Sequence, residues 1–278
     1  MSRSLARLAA GAALVLFAVL FILPLLWMVS TSLQPEGQVL SGTGNALTHL
    51  IPRRLAPVNY VKALQTLHFV PYLLNTLYVC VLVVAGTLAS CTVVAYGFSR
   101  LRWPGRDTLF SIMLATIMLP PAVLLLPQFV VFRSLGWVGT YKPLIVPAFL
   151  GNAFFIFLLR QFFLGIPEEL TDAARIEGAS EPQILWHVIA PLAKPALVTV
   201  ALLCFVWSWT DFMGPLVYLS DDRMYTLTVG LASFLDRHRA DWSGLMAGTT
   251  LVTTPLAVLF LLGQRFFVRG IQMTGLKG

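Results

Sequence analysis

Charge is what this chain of 278 residues has least of: 11% of its residues are charged and 58% are hydrophobic. Its mean hydropathy of +0.81 is too high for a typical soluble domain of this length, so the chain belongs in lipid. Cysteine is also scarce. Cys80, Cys91 and Cys204 are the only three. They sit in apolar runs with no metal-ligand spacing, which excludes a disulfide scaffold and leaves them as small apolar residues. His187, one of four histidines, has no nucleophile or metal cluster beside it and is read as part of a short helix. The terminal Gly275-Leu-Lys277-Gly278 lacks the glycine-rich, Lys-Ser/Thr context of a phosphate loop, so any nucleotide energy must come from a partner. The net charge of +7 flanks the apolar runs and forms no stripe, which the membrane explains without nucleic acid.

What is present is long apolar sequence. Six segments, with cores 9–30, 72–96, 109–132, 143–163, 195–218 and 243–267, are each long enough to cross about 30 Å of hydrocarbon. The expected fold is an all-α polytopic membrane protein with six transmembrane helices in a single domain, 1–278. Arg3 and Arg7 precede the first apolar run, which is longer than a processed signal segment and reads as a retained anchor. Pro24, Pro120, Pro121, Pro147, Pro215 and Pro255 predict kinked helices where a neighbour or cavity satisfies the freed carbonyls. A modest bias of basic residues places both termini in the cytoplasm. The connection 219–242 is then external. Its charges, including Asp221, Asp222, Arg223 and Arg237, with the apolar Tyr225–Phe234 stretch, predict a docking surface.

The most informative segment is 166–192. Pro167 pre-sets a first turn, Glu168, Glu169 and Asp172 favour a helix amino end, and Asp172 can pair with Arg175. Leu170, Ala173 and Ala174 fall on an expected contact face. Gly178 permits a sharp turn, and Ser180 with Gln183 has capping-box spacing for a second short helix ending at Pro191. Periodicity alone fits an interfacial hairpin equally well.

Glu169 to Pro195, with Asp172-Ala173-Ala174, Glu177 and Gly178, resembles the signature loop of binding-protein-dependent ABC importer permeases. Further matches lie at Ala95–Arg106, Trp209–Leu216, Asp241–Gly248 and Gln264–Gly278. They resemble the carbohydrate-uptake branch, similar to the smaller membrane subunit of maltose-type transporters. The resemblance implies a cytoplasmic helix-Gly-helix coupling loop between spans 4 and 5, with Glu169, Asp172, Ala173, Ala174, Glu177 and Gly178 on the ATPase. It also implies a homologous permease partner, two ATPase subunits that bind ATP and Mg, and an extracytoplasmic substrate-binding protein. This chain itself would hold no cofactor and catalyse no reaction. The membrane implied is a bacterial or archaeal cytoplasmic membrane, and the cargo a small neutral carbohydrate or polyol.

Four residues are candidates for the substrate pathway. Asp211 lies ~26 Å along a helix from Lys194, near the external interface, as a gate residue or a bundle-stabilising pair. Trp209 offers an aromatic face for a sugar or a packing surface, and Asn75 and Asn152 are each a substrate contact or an interhelical lock. An ion-coupled secondary transporter would explain Asp211 but leave the handle without a partner. A structural scaffold would explain neither.

Overall fold

In the computed structural model, residues 3–40, 51–52, 54–236 and 239–274 are described. Two compact units divide the chain: Met1–Tyr72 with Val229–Ala257, and Leu73–Thr228 with Val258–Gly278.

In chain order the first helices are α1 Arg3–Ser32, α2 Glu36–Leu40, α3 Val58–Thr66 and α4 Phe69–Arg100. Next come α5 Arg106–Thr116, α6 Pro121–Ser134, α7 Lys142–Ile145 and α8 Ala153–Leu164. The handle region contributes α9 Glu168–Ile176, α10 Glu181–Ile184 and α11 Ala190–Leu192. The remainder are α12 Lys194–Thr210, α13 Met213–Tyr218, α14 Leu227–Leu231 and α15 Trp242–Thr274. A two-stranded antiparallel ribbon pairs Leu235–Asp236 with Arg239–Ala240.

Among the described residues, four stretches are each long and apolar enough to cross a membrane: Ala10–Ser32, Phe69–Arg100, Lys142–Leu164 and Trp242–Gly263. Two helix pairs meet the same test together but are bent. Arg106–Thr116 turns by 100° into Pro121–Ser134, and Glu181–Leu192 by 81° into Lys194–Thr210.

Three expected spans are thus less regular than the sequence suggested. The core 109–132 is broken because Pro121 forces Pro120 into an extended conformation (ψ 132°) and then starts α6 as its first residue. The core 143–163 begins as the short α7, passes through a 3-10 turn over Val146–Leu150 and restarts after Gly151 at φ +99°, with Asn152 as the cap of α8. The core 195–218 stops at Thr210, and a separate helix begins at Met213.

In the first unit, Asn59 is buried and its amide donates to the Ser32 carbonyl at 3.0 Å and the Gln34 carbonyl at 2.8 Å. It thereby satisfies acceptors that the end of α1 leaves open. Gly230 lies so close to Tyr72 that a Cβ would come within 2.5 Å of the ring.

In the second unit, α4, α8, α12 and the segment between α9 and α12 share one core. Ala196, Val200 and Cys204 repeat every fourth residue along α12 and meet Cys91 and Ala95 of α4 and Phe155, Leu159 and Phe163 of α8. Small side chains on two of these helices let the backbones approach, which is how helices associate where lipid removes the usual hydrophobic drive. The cysteines are buried and free, as their apolar context predicted. Two also make weak polar contacts: Cys204 Sγ donates to Thr87 Oγ1 at 3.4 Å, and Cys91 Sγ accepts from the Asn152 N–H at 3.3 Å.

Candidate functional site

A cavity of about 770 Å³ opens where three interrupted elements meet, the Pro120-Pro121 break, the 146–152 turn and the gap between α12 and α13. On α4 the lining is Thr76, Val79, Val83 and Thr87, one helical stripe at three- and four-residue spacing. From α12 and the gap beyond it come Cys204, Trp207, Ser208, Asp211 and Phe212. Cysteine, serine and aspartate here sit seven, three and zero residues before the break, again one face. Among the described residues the lining holds one carboxylate and no lysine, arginine or histidine. Its size and its mix of aromatic faces with a few hydroxyls and one amide suit a small polar ligand.

The helix breaks are closed by the side chains that line the cavity. Asp211 Oδ1 accepts the Gly214 N–H at 3.0 Å and so caps the start of α13, while its carbonyl accepts from Thr228 Oγ1 at 2.6 Å. Asn152 caps α8 in the same way, its Oδ1 accepting from Phe154 N at 3.0 Å and Phe155 N at 3.3 Å. That leaves the Asn152 NH2 group without a hydrogen-bond partner among the described residues, on an exposed side chain at the cavity wall. Trp207 packs on Phe154 and Phe155 at 5.3 and 4.9 Å between ring centroids.

Of the four pathway candidates, the structure brings Asn152 and Asp211 to this cavity. Trp209 instead is 2% exposed and stacked on Phe205 at 5.3 Å. Two residues along a helix turn a side chain by about 200°, so Trp209 is on the wrong face and Trp207 on the right one. Asn75 is likewise one residue off the α4 stripe. Its amide donates to the carbonyls of Arg223 at 2.8 Å and Tyr225 at 3.0 Å, holding the loop that follows α13. Trp207 and Ser208 were legible by counting back four and three residues from Asp211.

The handle is built as its spacing suggested. Gly178 adopts φ +85°; its N–H bonds the Arg175 carbonyl and the Ala179 N–H bonds the Ala174 carbonyl, each at 3.0 Å. This is a Schellman closure of α9, which requires the left-handed residue that glycine supplies. The Ser180 N–H donates to Gln183 Oε1 at 2.8 Å, completing the capping box of α10. The second helix does not stop at Pro191. It widens into a π-turn over Leu185–Ile189 and continues through Pro191 to Leu192.

Arg175 joins the two short helices. It pairs with Asp172 at 3.0 Å, as expected, and with Glu181 at 2.8 Å. Glu181 is held below the usual carboxylate range by that guanidinium, and Arg175 is raised by Glu181.

Glu169, Asp172, Ala173, Glu177 and Gly178 are exposed on the handle. Ala174 faces the other way and packs on the core, so the outward apolar face is Leu170, Ala173 and Ile176. Ile176 is 88% exposed, which spacing alone did not single out.

On the 219–242 connection, Asp222 and Arg223 are exposed and Asp221 pairs with Arg223 at 2.7 Å. Arg223 draws the Asp221 carboxyl down to about 2. Arg237 lies outside the described residues. The expected apolar docking stretch is turned inward in the chain itself: Thr226, Leu227, Val229 and Phe234 are all buried.

Residues 83–273 match the family described as binding-protein-dependent transport system inner membrane component. The arabinooligosaccharides transport system permease protein of Halalkalibacterium halodurans is 32% identical over 270 residues, covering 96% of this chain and 95% of its own length. The trehalose/maltose transport system permease protein of Thermococcus litoralis is 32% identical over 268 residues, covering 95% and 94%. A chain from the crystal structure of a bacterial ABC transporter involved in the import of the acidic polysaccharide alginate superposes with a TM-score of 0.81. It is 26% identical and the match covers 96% of this chain and 99% of that one. With the family match spanning most of the sequence and relatives aligned along nearly all of it, this chain belongs to the binding-protein-dependent transport family, as a multi-pass inner-membrane permease component of an ABC transporter.

Proposed function

We propose that this chain forms half of the translocation body of an ATP-driven importer for a neutral sugar or related polyol, with α9 as the handle by which ATPases drive it. One observation carries the reading. The core that seats the handle is continuous with the walls of the cavity, through Ile184, Leu185 and Ile189 to Phe155, Val200 and Cys204.

With each bent pair read as one span there are six, so both termini share one side, and the basic-residue bias that sets the amino terminus inside makes that side, and the handle's, the cytoplasm in this reading. There Leu170, Ala173 and Ile176 meet an ATPase cleft, ringed by Glu169, Asp172 and Glu177. Two ATPases, which bind ATP and Mg, require two such handles, and a homologous permease supplies the second. Outside, Asp221, Asp222 and Arg223 form rim contacts for a substrate-binding protein, where charge orients docking more than it strengthens it. Alternating access follows when closure of the ATPases pulls α9 and the packed core behind it. The breaks at Pro120-Pro121 and Asp211-Phe212 are the places where such helices change angle.

The compared arabinooligosaccharide and trehalose/maltose relatives support the sugar class. The lining charge supports a neutral cargo, because a phosphate or uronate would meet the Asp211 carboxylate with no cation to offset it. The test is uptake in vesicles holding the purified complex. Neutral oligosaccharide enters only with hydrolysable ATP, and uptake that follows an ion gradient instead contradicts the reading.

A further inference from the structure

The handle touches more than its chain neighbours α8 and α12. Tyr96, about two and a half turns from the cavity stripe on α4, donates its hydroxyl hydrogen bond to the Glu181 carboxylate. Glu181 is the same group that Arg175 grips from α9. One turn further along α4, Arg100 is buried, and one guanidinium nitrogen donates to the carbonyls of both Phe163 and Ile166, which the end of α8 leaves open. The tie is reciprocal. Arg160 of α8 donates through Nε to the Phe98 carbonyl of α4 at 3.1 Å, with its guanidinium 4.0 Å above the Phe110 ring. Burying Arg100 is costly unless its donors are used; its Nε has no hydrogen-bond partner among the described residues, so its two carbonyl bonds are what hold α4 to the end of α8, while the Tyr96 bond to Glu181 holds α4 to α10.

We propose that α4 is a second strut of the machine, with Tyr96 and Arg100 as the positioning residues that make it follow the handle; this rests on the importer reading above. Chain connectivity alone would deliver movement of α9 to α8 and α12. The Tyr96–Glu181 bond and the two Arg100 bonds add α4, whose cavity stripe lies ~14 to ~30 Å up a rigid helix from Tyr96. Three walls of the cavity then turn together. Without the tie, α4 is coupled to the handle only through the shared apolar core and lags behind the other two walls, so nucleotide is spent without a complete change of access.

The substitutions Tyr96→Phe and Arg100→Gln test this in the complete transporter with its ATPases and binding protein. Single cysteines replace Val79 on α4 and Trp207 on α12, in a background where the three native cysteines are replaced by alanine or serine. Labelling is compared with and without nucleotide. In the parent both reporters change accessibility. In Tyr96→Phe the α12 reporter still responds and the α4 reporter does not, and substrate moved per ATP falls by about tenfold, the scale of one charge-assisted hydrogen bond. Tyr96→Phe removes one hydroxyl and keeps the ring, so it also serves if Arg100→Gln fails to assemble. Equal response of both reporters with unchanged stoichiometry in Tyr96→Phe overturns the strut. A parent complex in which neither reporter responds to nucleotide contradicts the importer reading itself.

Discussion

Asp211 Oδ1 accepts the N–H of Gly214 at 3.0 Å, so a carboxylate that lines the cavity also starts the helix beyond the break. Asparagine keeps the acceptor and drops the charge. Asp211→Asn is expected to leave complex abundance near normal and to improve uptake of an anionic analogue relative to a neutral sugar by about tenfold. Asp211→Ala should cost about 1 kcal/mol of stability through the lost cap. Competition uptake and thermal unfolding of the two variants separate charge from capping.

Gly214 carries the complementary constraint. A Cβ there would lie 2.4 Å from Asp211 Oδ2 and 3.0 Å from Leu144 Cδ2. Gly214→Ala should therefore disturb the break and reduce uptake, while binding-protein-stimulated ATP hydrolysis persists. Both rates measured on one preparation check this.

At Gly178 no atom lies within 4 Å of an added Cβ, yet φ is +85°, so the demand is conformational. Gly178→Ala should cost about 1 kcal/mol, and Gly178→Val more, because a β-branched side chain opposes the left-handed region. Coupling should fall in the same order while membrane insertion is unchanged. Asp172→Lys should act differently, removing the Arg175 pair and reversing charge on the handle without altering its backbone. ATPase co-purification against permease abundance distinguishes the two effects.

Thr171 is buried inside the handle, and its Oγ1 has no hydrogen-bond partner among the described residues. Valine has nearly the same shape without the hydroxyl. Thr171→Val is expected to be neutral or to stabilise by about 1 kcal/mol. A lower unfolding temperature for the detergent-solubilised complex would contradict that.

The Glu181 carboxyl is depressed by Arg175. A depressed carboxyl contributes its stabilisation above the ordinary carboxylate pKa and loses it only as pH falls through the lower folded value. The α9–α10 tie should thus be constant from about pH 5 to about pH 8. Glu181→Gln should weaken coupling across that whole window without creating a new pH step, as ATP-driven uptake at several pH values will read.

Local chemistry was legible wherever neighbours in sequence are neighbours in space. Gly178, Ser180 and Gln183 announce the two caps of the handle, and Asp172 announces its pair with Arg175. Four long apolar helices were legible too, with two further runs that are bent pairs, and proline marked the place of the sharper bend without fixing the angle there. Pro120-Pro121 gave 100°, and Asp211 ended a helix that hydropathy carried on to 218. Trp209 was named for its aromatic face alone, whereas helical phase counted from Asp211 puts Trp207 on the cavity wall. The ties of Tyr96 to Glu181 and Arg100 to Phe163 cross 85 and 63 residues, and nothing local in the sequence encodes them.

In the proposed reading, ATP hydrolysis by partner subunits, delivered through α9, drives a neutral sugar or polyol through this chain. Uptake of a labelled neutral oligosaccharide into sealed vesicles holding the whole complex tests it most directly, with ATP supplied on the handle side and ion gradients collapsed. ATP-dependent accumulation is expected, and Asp172→Lys in this chain should abolish it. Accumulation that continues with hydrolysis blocked and disappears with the ion gradient would contradict it.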